Sequence, residues 1–269
     1  MYQTHWGLQE KPFENTPDPR FLYRPPRLLE TYARQLYALR EGQGAVVLCG
    51  APGCGKTLLT RALLSELDPS GEEAALVSSP VASAEDLLEE ILYQLGEENP
   101  PTGCIQRRRR LDQTLFERFA AGQRPTLVIE EAHRLQDESV FEELRLLLNL
   151  QLNDAFLLNI VLVGLTELGQ TLKERPELEE RIAAWGMLTP LDPDEIGPYI
   201  GHRLQVAGRG EPAFSPQAVE LIGQYSGGVP RRLNRVCDLC LAVGFHQKTN
   251  QIDEDLAYRL IKSEEESRV

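Results

Sequence analysis

Short apolar runs alternate with amphipathic segments over the first two thirds of the chain. The run Ala-Val-Val-Leu-Cys at 45–49 has no polar position, which is typical of a strand buried on both faces of a sheet. Similar runs lie at 74–77, 126–129 and 159–163, and helices are expected at 28–40 and 56–67, from Ser83 onwards, at 107–121 and around 141–148. A last strand is expected just after Arg181. Strands that alternate with helices predict an α/β fold with a parallel five-stranded sheet flanked by helices.

Beyond that last strand the pattern becomes helical. Asp192 precedes a proline and is followed by Glu195, the order of a capping box with proline at the first helical position. Ser215 precedes a proline in the same way and opens the next helix. Two further helices are expected at 232–245 and 253–265. The end of the chain is therefore predicted to be an all-helical lid.

These patterns divide the chain near residue 193. We expect an α/β domain over residues 1–193 and a helical lid domain over residues 194–269. Prolines and aromatic residues are frequent in residues 1–26, which suits an extended segment that packs onto a domain. The length of 269 residues fits one such core with a small appended domain.

Charge and hydropathy limit the classes of partner. The formal net charge is −13, whereas generic binding to a nucleic-acid backbone needs clustered Lys and Arg. No apolar run approaches the roughly 20 residues that a membrane-spanning helix needs. The first residues lack the basic and apolar stretches of a signal peptide. We therefore expect a cytoplasmic protein that is not inserted into a membrane.

The cysteines predict no disulfide framework. They are odd in number and scattered, as in a reducing compartment: Cys49, Cys54, Cys104, Cys237 and Cys240. The last two form a single C-x-x-C inside a helical apolar pattern, without the second pair that a zinc site usually has. We interpret them as buried core thiols.

The segment 50–57, Gly-Ala-Pro-Gly-Cys-Gly-Lys-Thr, has the spacing G-x-x-x-x-G-K-[ST] between an apolar strand and a helix. Glycines let backbone N–H groups turn inward around a phosphate, and the helix N-terminus adds partial positive charge. Lys56 is expected to reach the β and γ phosphates of ATP, and the Thr57 hydroxyl is expected to bind Mg²⁺. The nucleotide-binding set is predicted to be Gly50, Pro52, Gly53, Cys54, Gly55, Lys56, Thr57 and Leu58.

Two carboxylates follow the apolar strand at 126–129. Ligands of open α/β sheets bind at the carboxyl ends of the strands. Glu130 is expected to hold Mg²⁺, directly or through water. Glu131 is expected to orient and polarise the attacking water. The sequence therefore predicts a phosphoryl-transfer site.

These motifs resemble those of AAA+ ATPases and, more closely, the ATPase domain of the general secretion pathway protein A (ExeA-like) family. The similarity extends over nearly the whole chain. The aromatic opening segment and the Leu-rich stretch are its specific signals, because generic AAA+ proteins lack them. The matching stretches are 5–8, 12–13, 17–23, 50–57, 131–133, 144–150, 160–164, 199–204, 207–208 and 227–231.

The resemblance implies three further roles. Arg181 resembles the arginine finger that a subunit offers to its neighbour's γ-phosphate. Arg231, in Gly-Val-Pro-Arg, resembles the sensor 2 arginine, which reaches from the lid to the nucleotide. Thr166 is assigned to sensor 1, after the strand that ends at Gly164. Arg175 is the next candidate for the finger.

The chain also departs from the family pattern. The family usually has Asp where Glu130 stands, so hydrolysis is expected to be slow if the longer side chain alters Mg²⁺ geometry. The family typically has Gly-Gln-Pro-Glu-Leu where 164–168 reads Gly-Leu-Thr-Glu-Leu, which removes the amide expected at sensor 1. Longer relatives continue into a transmembrane helix and a peptidoglycan-binding domain. We therefore expect this chain to be either an isolated ATPase domain or an ATPase-only member.

The resemblance implies an ATP-driven oligomeric switch, a hexamer or a helical filament, that serves an envelope machine for type II secretion or pilus and secretin assembly. Such a protein acts in the cytoplasm, at the inner face of the inner membrane through a partner. One alternative is a DNA-dependent ATPase regulator of the transposition type, for which the arginine run at 107–110 is the motivating feature. That run is interpreted more simply as the solvated start of a helix. A second alternative, motivated by Glu130, is a slow nucleotide switch.

Overall fold

The computed structural model describes residues 2–67, 74–78, 81–152 and 155–266. Contacts divide the chain into two compact units. We call the first the sheet unit, which comprises residues 26–51 and 59–188. We call the second the helical unit, which comprises residues 1–25, 52–58 and 189–269.

The strands agree closely with the apolar runs of the sequence. They are β1 (Ala45–Gly50), β2 (Ala74–Val77), β3 (Thr126–Ile129), β4 (Gln151–Leu152), β5 (Ala155–Phe156), β6 (Asn159–Gly164) and β7 (Ile182–Leu188). Five of them form a parallel sheet in the order β2-β3-β6-β1-β7. The predicted fold class is confirmed. The two-residue strands β4 and β5 form a separate antiparallel pair that the sequence pattern did not indicate.

Helices fill the intervals between strands and the end of the chain. They are α1 (Gln3–Trp6), α2 (Pro26–Arg40), α3 (Lys56–Leu67), α4 (Ala84–Gln94), α5 (Cys104–Ala120), α6 (Glu138–Leu147), α7 (Glu167–Lys173), α8 (Pro176–Glu179), α9 (Pro193–Val206), α10 (Pro216–Ser226), α11 (Pro230–Gln247) and α12 (Glu254–Glu266). Short 3₁₀ turns lie at Pro19–Phe21 and Ala132–Arg134. The capping box of Asp192 and Glu195 is present at α9, and the Ser215 hydroxyl caps α10.

The core of the sheet unit explains why its strands are so apolar. Every residue of β1, β3 and β6 is buried, as expected for parallel strands covered on both faces. In the same unit α2 packs on β1 and β7, and α4 packs on β2. The parallel pairing of β3 with β6 places the carboxyl ends of both strands at one edge of the sheet, and the candidate catalytic residues follow those ends.

The N-terminal segment packs against the helices at the end of the chain. Its contacts place residues 1–25 in the helical unit. Trp6 and Phe13 are buried in the core formed by α9–α12, and the Trp6 Nε1–H donates to the Leu241 carbonyl oxygen at 2.9 Å. The sequence could not show this, because aromatic side chains require an apolar surface without specifying which one. A domain boundary near residue 193 stays a prediction.

A buried arginine holds this segment. Arg203 of α9 is 4% exposed and donates to the carbonyl oxygens of Pro12 at 2.5 Å and Glu14 at 3.0 Å. It also donates to the Tyr199 hydroxyl at 3.0 Å, and its guanidinium lies 4.9 Å from the centre of the Phe21 ring. A buried charge needs such partners to offset its desolvation.

The C-x-x-C lies inside the helical core. Cys237 and Cys240 are both buried, and their thiols are free. Burial raises the pKa of Cys240 to about 12 and that of Cys237 well above its usual value. These thiols therefore behave as core groups, as we interpreted them. Within the described ranges, no helix is both long and apolar enough to cross a membrane.

Candidate functional site

The phosphate loop has the backbone that its glycines predict. Gly53 and Gly55 have φ angles of 83° and 97°, in the left-handed region that favours glycine. Helix α3 begins at Lys56, directly after the second of these glycines. The loop therefore places Lys56 and Thr57 in the first turn of a helix, where free N–H groups and partial positive charge favour a phosphate.

Gly50 at the end of β1 has a separate reason to be glycine. A Cβ atom added there would lie 2.5 Å from the carbonyl oxygen of Leu188 in β7. Real Cβ atoms essentially never approach an atom so closely. The first glycine of the motif thus allows β1 and β7 to pack together where the loop begins.

Gly53 contacts the start of α11. A Cβ atom at this position would lie 3.0 Å from both Arg231 Cβ and Val229 Cγ1. The backbone N–H of Arg231 donates to the Gly53 carbonyl oxygen at 3.2 Å. The Arg231 residue is exposed at the second position of its helix. The residue assigned to sensor 2 is therefore joined to the phosphate loop within the helical unit.

The paired carboxylates follow β3. The Glu130 N–H donates to the Val77 carbonyl oxygen at 2.9 Å, and the residue is half-buried. Glu131 is exposed and has a φ angle of 52°. Among the described residues, only Glu131 and Lys248 combine a side chain with positive φ. Such conformations cost energy and often occur at functional sites, so this one supports a role for Glu131.

Two cationic or polar side chains lie beside Glu131. His133 Nε2 lies 3.6 Å from Glu131 Oε2, and Arg134 Nε lies 3.8 Å from the same oxygen. His133 is largely buried, and its Nδ1 accepts a hydrogen bond from the Leu165 N–H at 3.3 Å. His133 lies in the stretch 131–133 that matches the family, but no role for it was predicted from the sequence. A histidine two residues after the candidate base was the available signal.

Thr166 occupies the connection after β6. It is exposed, lies immediately before α7, and its hydroxyl donates to the neighbouring Glu167 carboxylate at 3.2 Å. Its assignment to sensor 1 stays a prediction. In the sheet unit, the connection after β6 is linked to Glu131 through His133: the Leu165 N–H donates to the His133 ring, and the other side of that ring lies near the Glu131 carboxylate.

The two candidate arginine fingers differ in how firmly they are held. Arg181 is half-buried, and its Nη1 donates to the Leu148 carbonyl oxygen at 3.4 Å. Arg175 is held more tightly. It pairs with Glu138 at 2.7 Å, donates to the Thr171 carbonyl oxygen at 2.7 Å, and lies 4.0 Å from the centre of the Phe141 ring. Arg181 can therefore leave its contact at a smaller cost than Arg175.

Most arginines of the run at 107–110 form ion pairs inside the sheet unit. Arg107 pairs with Glu85 and Glu89, at 3.0 and 2.6 Å, and Arg110 pairs with Glu97 at 2.6 Å. Arg108 pairs with Glu143 of α6, whose pKa is raised by burial even though Arg108 opposes the shift. Arg109 is exposed. Three of the four arginines thus fasten α5 to its neighbours.

The candidate residues are divided between the two units. The helical unit holds the loop residues 52–58 and Arg231. The sheet unit holds Gly50, the carboxylates 130–131, Thr166 and Arg181. In the helical unit Gly53 contacts Arg231, and in the sheet unit Glu131 lies near His133, which is bonded to Leu165.

Known proteins resemble this chain in sequence. Residues 39–172 match the family model described as an AAA domain. The chain is 37% identical over 256 residues to general secretion pathway protein A of Aeromonas hydrophila. The chain belongs to the AAA+ family. The alignment covers 94% of this chain and 46% of that protein, so this AAA+ chain spans about half the length of the curated relative it matches.

Solved structures agree on the fold of this AAA+ chain. The ORC2 protein of Aeropyrum pernix is similar with a TM-score of 0.69 and 17% identity, over 95% of this chain and 71% of that chain. The structure of Drosophila ORC bound to DNA has the same TM-score and identity, over 97% of this chain and 65% of that chain. The RuvB Holliday junction branch migration motor of Thermotoga maritima has a TM-score of 0.63 and 21% identity, over 91% of this chain and 73% of that chain.

Proposed function

We propose that this chain binds ATP with Mg²⁺, hydrolyses it, and acts as an oligomeric switch in the cytoplasm. The observation that carries the proposal is the pair of conformations around the two motifs. Gly53 and Gly55, in the loop before Lys56, have positive φ angles. Glu131, which follows β3, also has a positive φ angle. Successive backbone N–H groups that point into one loop bind anions. A glutamate with a strained backbone conformation at the end of a strand is a candidate for a catalytic base, because such strain occurs often at functional sites.

The residues present fit the metal ion. Thr57 and Glu130 offer a hydroxyl and a carboxylate, which are the hard oxygen ligands that Mg²⁺ prefers. Mg²⁺ is usually held by one or two protein ligands together with substrate phosphates and water, so no larger cluster of ligands is needed. When bound, the ion would neutralise charge on the phosphate oxygens.

The chain's own residues supply the remaining chemistry. Lys56 binds the β and γ phosphates, and Arg231 approaches the same nucleotide. Glu131 accepts a proton from the water whose oxygen attacks the γ-phosphorus, while ADP leaves. Arg181 of one subunit stabilises the charge that develops in the site of another, and Thr166 lies in the segment assigned to sensor 1.

The partner is proposed from the named relative. General secretion pathway protein A supports an envelope machine, a type II secretion or pilus and secretin assembly, as the reader of the switch. The protein would then act at the inner face of the inner membrane through that partner. Among the solved neighbours, ORC bound to DNA and RuvB keep the DNA-dependent alternative open. The ion pairs of Arg107, Arg108 and Arg110 argue against the DNA-dependent alternative, because arginines paired with carboxylates contribute less to binding DNA phosphates.

The test is nucleotide binding and turnover by the purified chain. Lys56→Ala is expected to abolish ATP binding without changing the thermal midpoint, because Lys56 lies at the mouth of the loop. Binding of ATP by Lys56→Ala at wild-type affinity would contradict the proposal. Stimulation of turnover by duplex DNA, with steep salt dependence, would favour the DNA-dependent alternative. Tight binding with negligible turnover of the assembled protein would favour the slow switch.

A further inference from the structure

We propose that His133 is a positioning residue that ties the Glu131 carboxylate to the backbone at the end of β6. This inference deepens the proposed ATPase function and rests on it. In this arrangement the connection between β6 and α7 controls the candidate base through the imidazole ring.

The ring is fixed in both place and tautomer. The Leu165 N–H donates to Nδ1 at 3.3 Å, so that nitrogen is an acceptor and the ring proton lies on Nε2. Nε2–H is therefore available on the side where Glu131 Oε2 lies, 3.6 Å away. This distance exceeds a hydrogen bond, but the Glu131 side chain is 46% exposed, and a small rotation of it would bring Oε2 within hydrogen-bond distance of Nε2.

A second contact fixes the backbone of His133. A Cβ atom added at Gly164 would lie 3.1 Å from the His133 backbone nitrogen and 2.8 Å from Leu168 Cδ2. The last residue of β6 therefore packs against the turn that carries His133. The backbone and the ring of His133 contact consecutive residues, Gly164 and Leu165, so a shift of this connection moves both together.

The other neighbour of Glu131 does not have this connection. Arg134 lies 3.8 Å from Glu131 Oε2, but its side chain is 61% exposed. An exposed ion pair of this length contributes little to holding the carboxylate in place, because solvent screens it. Arg134 therefore serves as the matched control, because it places an exposed positive charge near Glu131.

Three variants separate the two contacts of His133. His133→Asn keeps an acceptor near the Nδ1 position for Leu165 and loses the contact with Glu131. His133→Gln keeps a donor near the Nε2 position and loses the acceptor for Leu165. Arg134→Gln removes the exposed cation. We would measure kcat and KM for Mg-ATP, ATP affinity with a fluorescent analogue, and the thermal midpoint, each also in a Glu131→Gln background.

The expected result is a specific loss of turnover. His133→Asn should lower kcat by about 10- to 100-fold, the scale of a misplaced catalytic group, with ATP affinity changed less than about twofold. His133→Gln should retain more turnover than His133→Asn, and Arg134→Gln should stay within about twofold of the wild type. In the Glu131→Gln background His133→Asn should have no further effect, because residues that act as a unit are not additive.

Two results would overturn the inference while leaving the ATPase proposal intact. One is wild-type kcat in His133→Asn. The other is an equal fold-loss with and without Glu131, which would indicate that His133 acts through general folding. If His133→Asn does not fold, the comparison of His133→Gln in the two backgrounds decides the matter by the same criterion. Absence of turnover in the assembled wild-type protein would overturn the proposed function and this inference together.

Discussion

The backbone N–H of Arg231 donates a hydrogen bond of 3.2 Å to the carbonyl oxygen of Gly53. Gly53 belongs to the phosphate loop, and Arg231 stands at the start of α11. The two residues also pack closely, since a Cβ atom at Gly53 would lie 3.0 Å from Arg231 Cβ. A change in the conformation of the loop is therefore expected to move Arg231, the residue assigned to sensor 2.

Arg231→Ala should weaken ATP binding and slow hydrolysis. Removing one charge-assisted contact to phosphate costs about 1.5–3 kcal/mol, or roughly 10- to 150-fold in affinity. The neighbouring Arg232 is also exposed and provides the matched control. Titration of each variant with a fluorescent ATP analogue checks the prediction. An equal loss in Arg232→Ala would show that general charge, rather than the position of Arg231, determines affinity.

Arg203→Met should destabilise the helical unit. The variant leaves the carbonyl oxygens of Pro12 and Glu14 without their buried donor. Loss of such a partner costs about 2–4 kcal/mol in the free energy of unfolding. Arg235→Met is the control, since Arg235 is exposed and pairs with Glu264 at 2.8 Å. Urea unfolding of both variants tests the prediction, and equal stability of the two would refute the anchoring role of Arg203.

Arg181→Ala should bind ATP but hydrolyse it poorly. An arginine that completes a neighbour's site contributes about 10³–10⁵ in rate. Turnover per subunit should rise with protein concentration until assembly saturates. Mixtures of Arg181→Ala with Glu131→Gln should recover part of the activity, because some interfaces then pair an intact Glu131 with an intact Arg181.

The mixing experiment needs proof that the variants assemble together, which light scattering gives. If no ratio of the two restores turnover in confirmed mixed assemblies, Arg181 is not the residue that acts between subunits. Arg175 was the next candidate from the sequence. Its contacts with Glu138, Thr171 and Phe141 would have to break first, so Arg175→Ala should also lower the thermal midpoint.

Glu130→Asp should preserve or raise turnover. Both side chains offer a carboxylate to Mg²⁺, and the shorter one matches the usual family residue. The variant tests whether the extra methylene of Glu130 slows the reaction. The dependence of kcat on Mg²⁺ concentration is the measurement. A large fall in kcat with unchanged Mg²⁺ dependence would remove Glu130 from the metal site and assign it another role.

Much of this architecture follows from local patterns in the sequence. The runs at 74–77 and 126–129 coincide with β2 and β3: every residue of β3 is buried, and β2 alternates half-buried and buried residues, so short apolar runs mark both strands. The caps at Asp192 and Ser215 were predictable since their side chains bond backbone groups a few residues away. The phosphate loop was recognisable from the same kind of short-range rule, the need for glycine at positive φ.

The features that sequence reasoning missed depend on contacts between distant residues. Nothing near Trp6 in the sequence indicates that its indole will donate to Leu241. The link from Leu165 to His133 joins residues 32 positions apart and depends on the pairing of β3 with β6. Even the left-handed conformation of Glu131 was unexpected, because glutamate rarely adopts it without support from surrounding structure.

The most direct test of the account is single-turnover hydrolysis of Mg-ATP by the assembled protein with Glu131→Gln. Glutamine keeps the size of the side chain but accepts a proton poorly. The account predicts wild-type affinity for ATP and a rate lower by about 10²–10⁴, the usual contribution of a positioned base. The variant should also accumulate as the ATP-bound assembly. A rate equal to that of the wild type would contradict the central claim, because Glu131 would then have no part in activating the water.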